Sequence, residues 1–159
     1  MSKHKKNHIK YRTVGIALLE ERVLIHQFSG SSYWSLPGGR IEVSEDSREA
    51  LKREFKEETG RLITVDNLVW TTENFFTRPN GKAIHEVAFY HAITVKGSFK
   101  ENFIGYEKDT ILNFRWVPTK TLPQYPLKPS FLITALQKPL PNSPQHLIIR
   151  DNQLNRKAS

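Results

Sequence analysis

The chain has 159 residues, which suits one domain with its own core and leaves no room for a second catalytic domain. It contains no cysteine, which excludes disulfides, thiolate metal sites and thiol nucleophiles. A formal charge of +8 favours anionic partners such as nucleotides, and much of the excess lies in Lys3, Lys5, Lys6 and Lys10 and from Arg150 onward, without a nucleic-acid motif beside it.

Residues 1–10 read as a basic tail lacking the apolar core of a signal peptide. Tyr11 to Glu20 and Arg22 to Phe28 are β-rich runs around a Glu20-Glu21 turn, predicting a hairpin. After a polar loop from Ser29 to Tyr33, Ser35 to Pro37 lead through Gly38-Gly39 into an acidic segment. Asp46 with Glu49 three residues on is an N-cap with its capping-box partner, and Gly60 supplies a left-handed stop, so a helix is predicted over about Ser47 to Thr59. Leu68 to Thr77 and Ala83 to Lys96 are strands joined by Arg78-Pro79-Asn80-Gly81, whose Asn-Gly favours a tight turn. Ile111 to Val117 is a further strand, Ser130 to Gln137 a short helix behind Pro129, and His146 to Arg150 a last strand. A domain over residues 11–150 is thus followed by a second tail, 151–159. No run approaches the roughly 20 apolar residues of a membrane span, so a cytoplasmic protein without a membrane partner is expected. Strands on both sides of one strong helix, with a second helix late, indicate a mixed α/β (α+β) architecture.

On the predicted acidic helix, Ala50, Glu54, Glu57 and Glu58 fall in one sector of roughly 100°, which Leu51 and Phe55 continue toward the core. Lys52, Lys56, Arg48 and Thr59 point the other way. Glu54 and Glu58 are one turn apart, about 6 Å along the axis, and two such charges repel by roughly 3 kcal/mol at an effective dielectric near 20. Carboxylate oxygens are hard ligands suited to Mg²⁺ or Mn²⁺, ions that favour sites completed by substrate phosphates. An alternative is a helix surface stitched by (i, i+4) ion pairs, for which Arg53 has Glu49 and Glu57 at the right spacing but Lys52 has only Arg48 and Lys56.

Gly39, Glu45, Arg53, Glu54, Phe55, Glu57, Glu58 and Gly60 stand at the spacing of G-x5-E-x7-R-E-U-x-E-E-x-G-U, where U is a bulky apolar residue. This segment resembles the Nudix box of the MutT-like pyrophosphohydrolases, departing only at Arg61, with Leu62 next in line for the packing role. The resemblance extends more loosely from about Tyr11 to Pro118 through the WSLPGG lead-in and a late RWVP segment. It implies a Nudix fold, a mixed β-sheet sandwiched between helices. The activity it implies is attack by water on phosphorus in the diphosphate linkage of a nucleoside diphosphate derivative. Such chemistry needs charge neutralisation and alignment more than a protein nucleophile.

By the same resemblance Glu54, Glu57, Glu58 and the carbonyl of Gly38 are the Mg²⁺ ligands, with Mn²⁺ a substitute, and Arg53 orients the acids with Glu45 as a partner. Glu54 is the first choice of general base; Glu107, on the loop before the Ile111 strand, and Glu86 are rivals. Arg12 and Arg40 are candidates to hold phosphate oxygens. Phe28, Tyr33, Trp34, Trp70, Phe75 and Phe76 offer flat surfaces for a base, with Trp34 and Phe75 preferred, although most such aromatics are core residues. His26, His85 and His91 read as strand residues rather than ligands. Two other functions fit the residues less well: a Nudix-fold module that senses a nucleotide without cleaving it, and an RNA 5′-end pyrophosphohydrolase helped by the basic tails. A homodimer is compatible with such a domain.

Overall fold

The computed structural model describes residues 8–97 and 100–150. The two basic tails therefore lie outside the described residues, except for His8 to Lys10, and Lys10 already belongs to a strand. The expected hairpin is formed by β1 (Lys10–Leu19) and β2 (Arg22–Phe28), with both turn residues left-handed, Glu20 at φ 49° and Glu21 at φ 62°. The two strands stay paired only at Leu18 with Val23 and Leu19 with Arg22, then splay. Into the opening fits β3 (Gly38–Arg40), antiparallel to β1 with Thr13 opposite Gly39.

Helix α1 (Ser47–Thr59) has the boundaries set by its caps. The Asp46 carboxylate accepts from Arg48 N–H and Glu49 N–H, Glu49 returns a bond to Asp46 N–H, and Gly60 takes φ 72° where a side chain would be strained. Next come β4 (Ile63–Thr77) and β5 (Ala83–Val95), then β6 (Asn102–Glu107), β7 (Thr110–Pro118), a 3₁₀ turn over Thr119–Gln124, α2 (Phe131–Ala135) and β8 (Gln145–Ile149). Together the strands make one mixed sheet in the order β6-β7-β2-β1-β5-β4-β8, in which β1–β5 and β4–β8 are parallel. Strand β1 is central and buried on both faces over Thr13–Ala17, as its unbroken apolar run requires.

Leu51 and Phe55 of α1 enter a core with Ala17, Leu24, Ile93 and Phe114 on one face of the sheet. On the other face Val14, Ile16, Trp70 and Tyr90 pack with Leu132 and Leu136 from the C-terminal part of the chain. The sheet is thus covered by helix on both sides. Three expectations are corrected. Glu107 ends a strand, β6, instead of lying on a loop. Strand β4 begins at Ile63 rather than Leu68, because register shifts between Val65 and Trp70 break the alternation that marks a strand in sequence. Leu62 is 58% exposed, and the packing position after the box is filled by buried Ile63.

Candidate active site

Arg53 is the hub of the site. Its Nε and Nη2 donate to the two oxygens of Glu45 at 2.7 and 2.8 Å, Nη2 also to the Arg40 carbonyl at 3.0 Å, and Nη1 to Glu54 Oε1 at 3.0 Å and Glu57 Oε2 at 3.3 Å. One guanidinium therefore ties α1 to the β3–α1 connection, and holds Glu45 below the usual carboxylate range through its hydrogen bonds. The (i, i+4) bond to Glu57 forms, while Glu49 is committed to the capping box.

Close packing fixes the acids. A Cβ on Gly39 would lie 2.3 Å from Glu54 Cδ, so the absence of a side chain there lets β3 close on that carboxylate. The ladder also determines what Gly38 offers. Gly15 N–H bonds to Pro37 O and Ile41 N–H to Tyr11 O, which puts Gly38 at a non-hydrogen-bonded position with its carbonyl turned away from β1. At the other end of α1 the Glu58 backbone rests on β6, where a Cβ on Gly105 would stand 2.4 Å from Glu58 O.

Burial raises both Glu54 and Glu58 above the ordinary carboxylate range, Glu58 to about 9. The neighbouring charges of Glu54 and Glu107 add to the rise at Glu58, and Arg12 opposes it. Glu58 Oε2 is buried without a hydrogen-bond partner. This carboxyl pair can carry its full negative charge only beside a compensating cation. Among the described residues no three acidic or histidine side chains converge as a ready-made cage. Glu57 accounts for part of that, since its side chain is 59% exposed and turned to Arg53. The oxygen donor set, the orphaned Glu58 Oε2 and the outward Gly38 carbonyl fit a hard divalent ion.

The remaining candidates divide. Glu107 is close enough to raise both Glu54 and Glu58, whereas Glu86 acts on Lys10 and Tyr90. Arg12 and Arg40 are paired across β1 and β3, one half-buried and one exposed, at the rim of the acid site. Trp34 is 8% exposed, with the edge of Tyr125 against it and the Arg115 guanidinium 5.1 Å over its ring. Phe75 is covered by His85 at 4.2 Å and Arg150 at 4.1 Å, in the part of β4 that pairs with β5 and lies near β8. His26, His85 and His91 lie in strands, as expected: His91 meets Ser47 Oγ at 2.9 Å, His85 meets Glu73, and His26 is buried beside Phe28 and Phe114. Sequence reasoning missed Gly105 and β6, although the alternation of NFIGYE was a usable signal. Arg48 is exposed as expected, and its guanidinium also donates to Asp66 O at 2.7 Å and to Val65 O, pinning α1 to β4.

The NUDIX domain family model matches residues 10–135, from β1 through α2. The chain belongs to the Nudix family. Among curated relatives, it is 28% identical over 111 residues to a nucleoside triphosphatase, NudI, of Klebsiella pneumoniae (strain 342), covering 67% of this chain and 77% of that protein. It is also 28% identical over 140 residues to an RNA pyrophosphohydrolase of Bradyrhizobium sp. (strain ORS 278), covering 72% and 82%. A Nudix hydrolase structure from Nitrosomonas europaea superposes with a TM-score of 0.67 at 18% identity over 93% of this chain and 82% of that one, which shows the shared fold. The protein is therefore a Nudix hydrolase, and its Arg53 hub lies within the Nudix box.

Proposed function

We propose that this Nudix hydrolase cleaves the diphosphate linkage of a nucleoside diphosphate derivative with the help of Mg²⁺, for which Mn²⁺ can substitute. The observation that carries the reading is the pair of half-buried Glu54 and buried Glu58, with Oε2 of Glu58 unpartnered and Arg53 bracing Glu54. Glu54, Glu57, Glu58 and the Gly38 carbonyl would hold the ion. When bound, it neutralises phosphate charge and makes the phosphorus a better electrophile.

The chain's own groups supply the rest. Arg12 and Arg40, at the rim, draw in the phosphates and hold the scissile bridge in line. Glu54 takes a proton from the attacking water as its oxygen bonds to phosphorus, while the anhydride P–O bond breaks and its electrons leave on the departing phosphate. Glu107 is the rival for that proton. Arg53 acts through Glu54, Glu57 and Glu45 as a positioning residue. A substrate panel assayed for released phosphate or nucleoside monophosphate, with Mg²⁺ and with EDTA, tests the proposal: cation-dependent turnover of a nucleoside diphosphate derivative is expected, and full turnover in metal-free buffer would sink it.

A further inference from the structure

Three strands hold the first turn of α1 to the sheet. Thr13 of β1 donates its hydroxyl to Ser47 O at 2.7 Å, His91 of β5 meets Ser47 Oγ through Nε2 at 2.9 Å, and Arg48 donates to the Val65 and Asp66 carbonyls of β4. The bonds to Ser47 are not needed to make the helix. Asp46 and Glu49 already complete the N-cap, and in the α-helical pattern Ser47 O serves Leu51 N–H. Thr13 is fully buried and His91 is 3% exposed, with its Nδ1 left without a partner. Burial, aided by the Arg48 charge and opposed by Asp46, lowers His91 below the usual histidine range, which keeps the ring neutral near pH 7. Apolar residues of the same size would fill both positions without taking polar groups out of water. What the polar pair adds is a directional hold on one residue of α1.

The hold on Ser47 is tied to the acid site through β1. Thr13 lies opposite Gly39 of β3, and its backbone oxygen is the atom against which Gly38 packs. Gly15, two residues on, pairs with His91 on its other side, and its N–H bonds to Pro37 O at 2.8 Å just ahead of β3. The same short stretch of β1 therefore locates β3, which closes on Glu54 through Gly39, and the start of α1, which carries Glu54 and Glu58. Ser47 stands about 10 Å along the helix axis from Glu54 and about 16 Å from Glu58. Leu51 and Phe55 also attach α1 to the core, but apolar contact is non-directional and tolerates a small slide or roll of the helix. Hydrogen bonds of 2.7 and 2.9 Å to a single residue do not. A misplacement near 1 Å at the reacting groups is enough to cost about 10²-fold in rate.

We propose that Thr13 and His91 are positioning residues: through Ser47 they fix the axial place and roll of α1, and so set Glu54 and Glu58 against β3. The catalytic consequence rests on the proposed hydrolase reading, and the positioning itself does not. The test compares the full chain with Ser47→Ala, which removes the hydroxyl beside His91, with Ser47→Thr, which keeps one, and with His91→Phe, which keeps a ring. In steady-state assays with Mg²⁺, Ser47→Ala and His91→Phe are each expected to lower kcat about tenfold or more, with KM within about twofold of wild type. Ser47→Thr should restore most of kcat. Since Ser47→Ala and His91→Phe remove one and the same bond, the double variant should be no slower than the slower single one. A second readout needs neither cation nor turnover: in amide NMR spectra of the metal-free chain, Ser47→Ala should move the signals of Gly39, Glu54 and Glu58, and Ser47→Thr should return them. Wild-type kcat in a folded Ser47→Ala enzyme overturns the proposal, as does a fall in melting temperature with kcat unchanged, which marks a purely structural role. Should His91→Phe fail to fold, the two Ser47 variants decide alone. Absence of cation-dependent turnover in wild type is failure of the hydrolase reading instead; the amide signals then decide, and unmoved Gly39, Glu54 and Glu58 in Ser47→Ala overturn the positioning role.

Discussion

Glu58 carries the most consequential chemistry of any single residue, because burial, Glu54 and Glu107 all oppose its ionisation. Glu57→Gln and Glu58→Gln keep size and remove ligand charge, so steady-state assays should find turnover lowered by roughly 10²-fold or more in each, the scale of losing a major catalytic group. Near-normal rates in both would move the site elsewhere. For the base, Glu107→Gln is expected to depress turnover while Glu86→Gln does much less, since Glu107 faces the acid pair and Glu86 faces Lys10 and Tyr90. A fully active Glu107→Gln enzyme leaves Glu54 as the base. His26 governs acid stability instead. Burial, reinforced by the Arg12 charge, pushes its pKa from 6.5 down to about 3, and neither ring nitrogen has a partner. The unfolded chain therefore binds the proton more readily, so this contribution to stability is intact above about pH 6.5 and is lost as pH falls toward 3, at about 1.4 kcal/mol per pH unit. Chemical denaturation of His26→Phe between pH 6.5 and 4 should show a shallower fall than wild type by that slope; parallel curves would refute it. Of this residue-scale picture, the identities of Arg53, Glu54, Glu57 and Glu58 were legible in sequence, because their spacing is a pattern. The burial of His26 was not, since it depends on Phe114, which is 88 positions away in the chain.

Between elements, three glycines divide the fold from the chemistry. A Cβ on Gly38 would lie 2.0 Å from Thr13 O and one on Gly105 2.4 Å from Glu58 O, both rigid backbone atoms. A Cβ on Gly39 would meet the end of the Glu54 side chain instead, which can swing away. Gly39→Ala should therefore leave melting within a few degrees of wild type yet reduce turnover sharply, whereas Gly38→Ala and Gly105→Ala should first destabilise the fold, by about 1–3 kcal/mol or more. Equal stability losses at all three positions would contradict this division. Helix α1 was readable to the residue because both of its caps are local chemistry. Strands β3 and β6 were not, because a three-residue strand exists only through its partner β1, and β6 is fixed by pairing with β7 and by contact with α1.

For the whole molecule, a cation that binds only the folded chain must stabilise it, by about 2.7 kcal/mol at a hundredfold excess over its Kd. For a domain of this size that is a rise in melting temperature of roughly 5–10 °C. Wild type should show such a rise with Mg²⁺ or Mn²⁺ and Glu58→Gln should show little of it; an identical shift in both would place the ion elsewhere.

The sequence by itself determined the family, the mixed α/β class, the acids of the box, and a helix whose caps and apolar stripe are encoded within a few residues of one another. Those features depend on local spacing, which the chain carries wherever it folds. Only the tertiary structure decided that Glu107 stands by Glu58 while Glu86 does not, and that Trp34 and Phe75 have their faces occupied. Each of these depends on which strands become neighbours, through pairings such as β1 with β5 and β2 with β7 that join segments far apart in the chain.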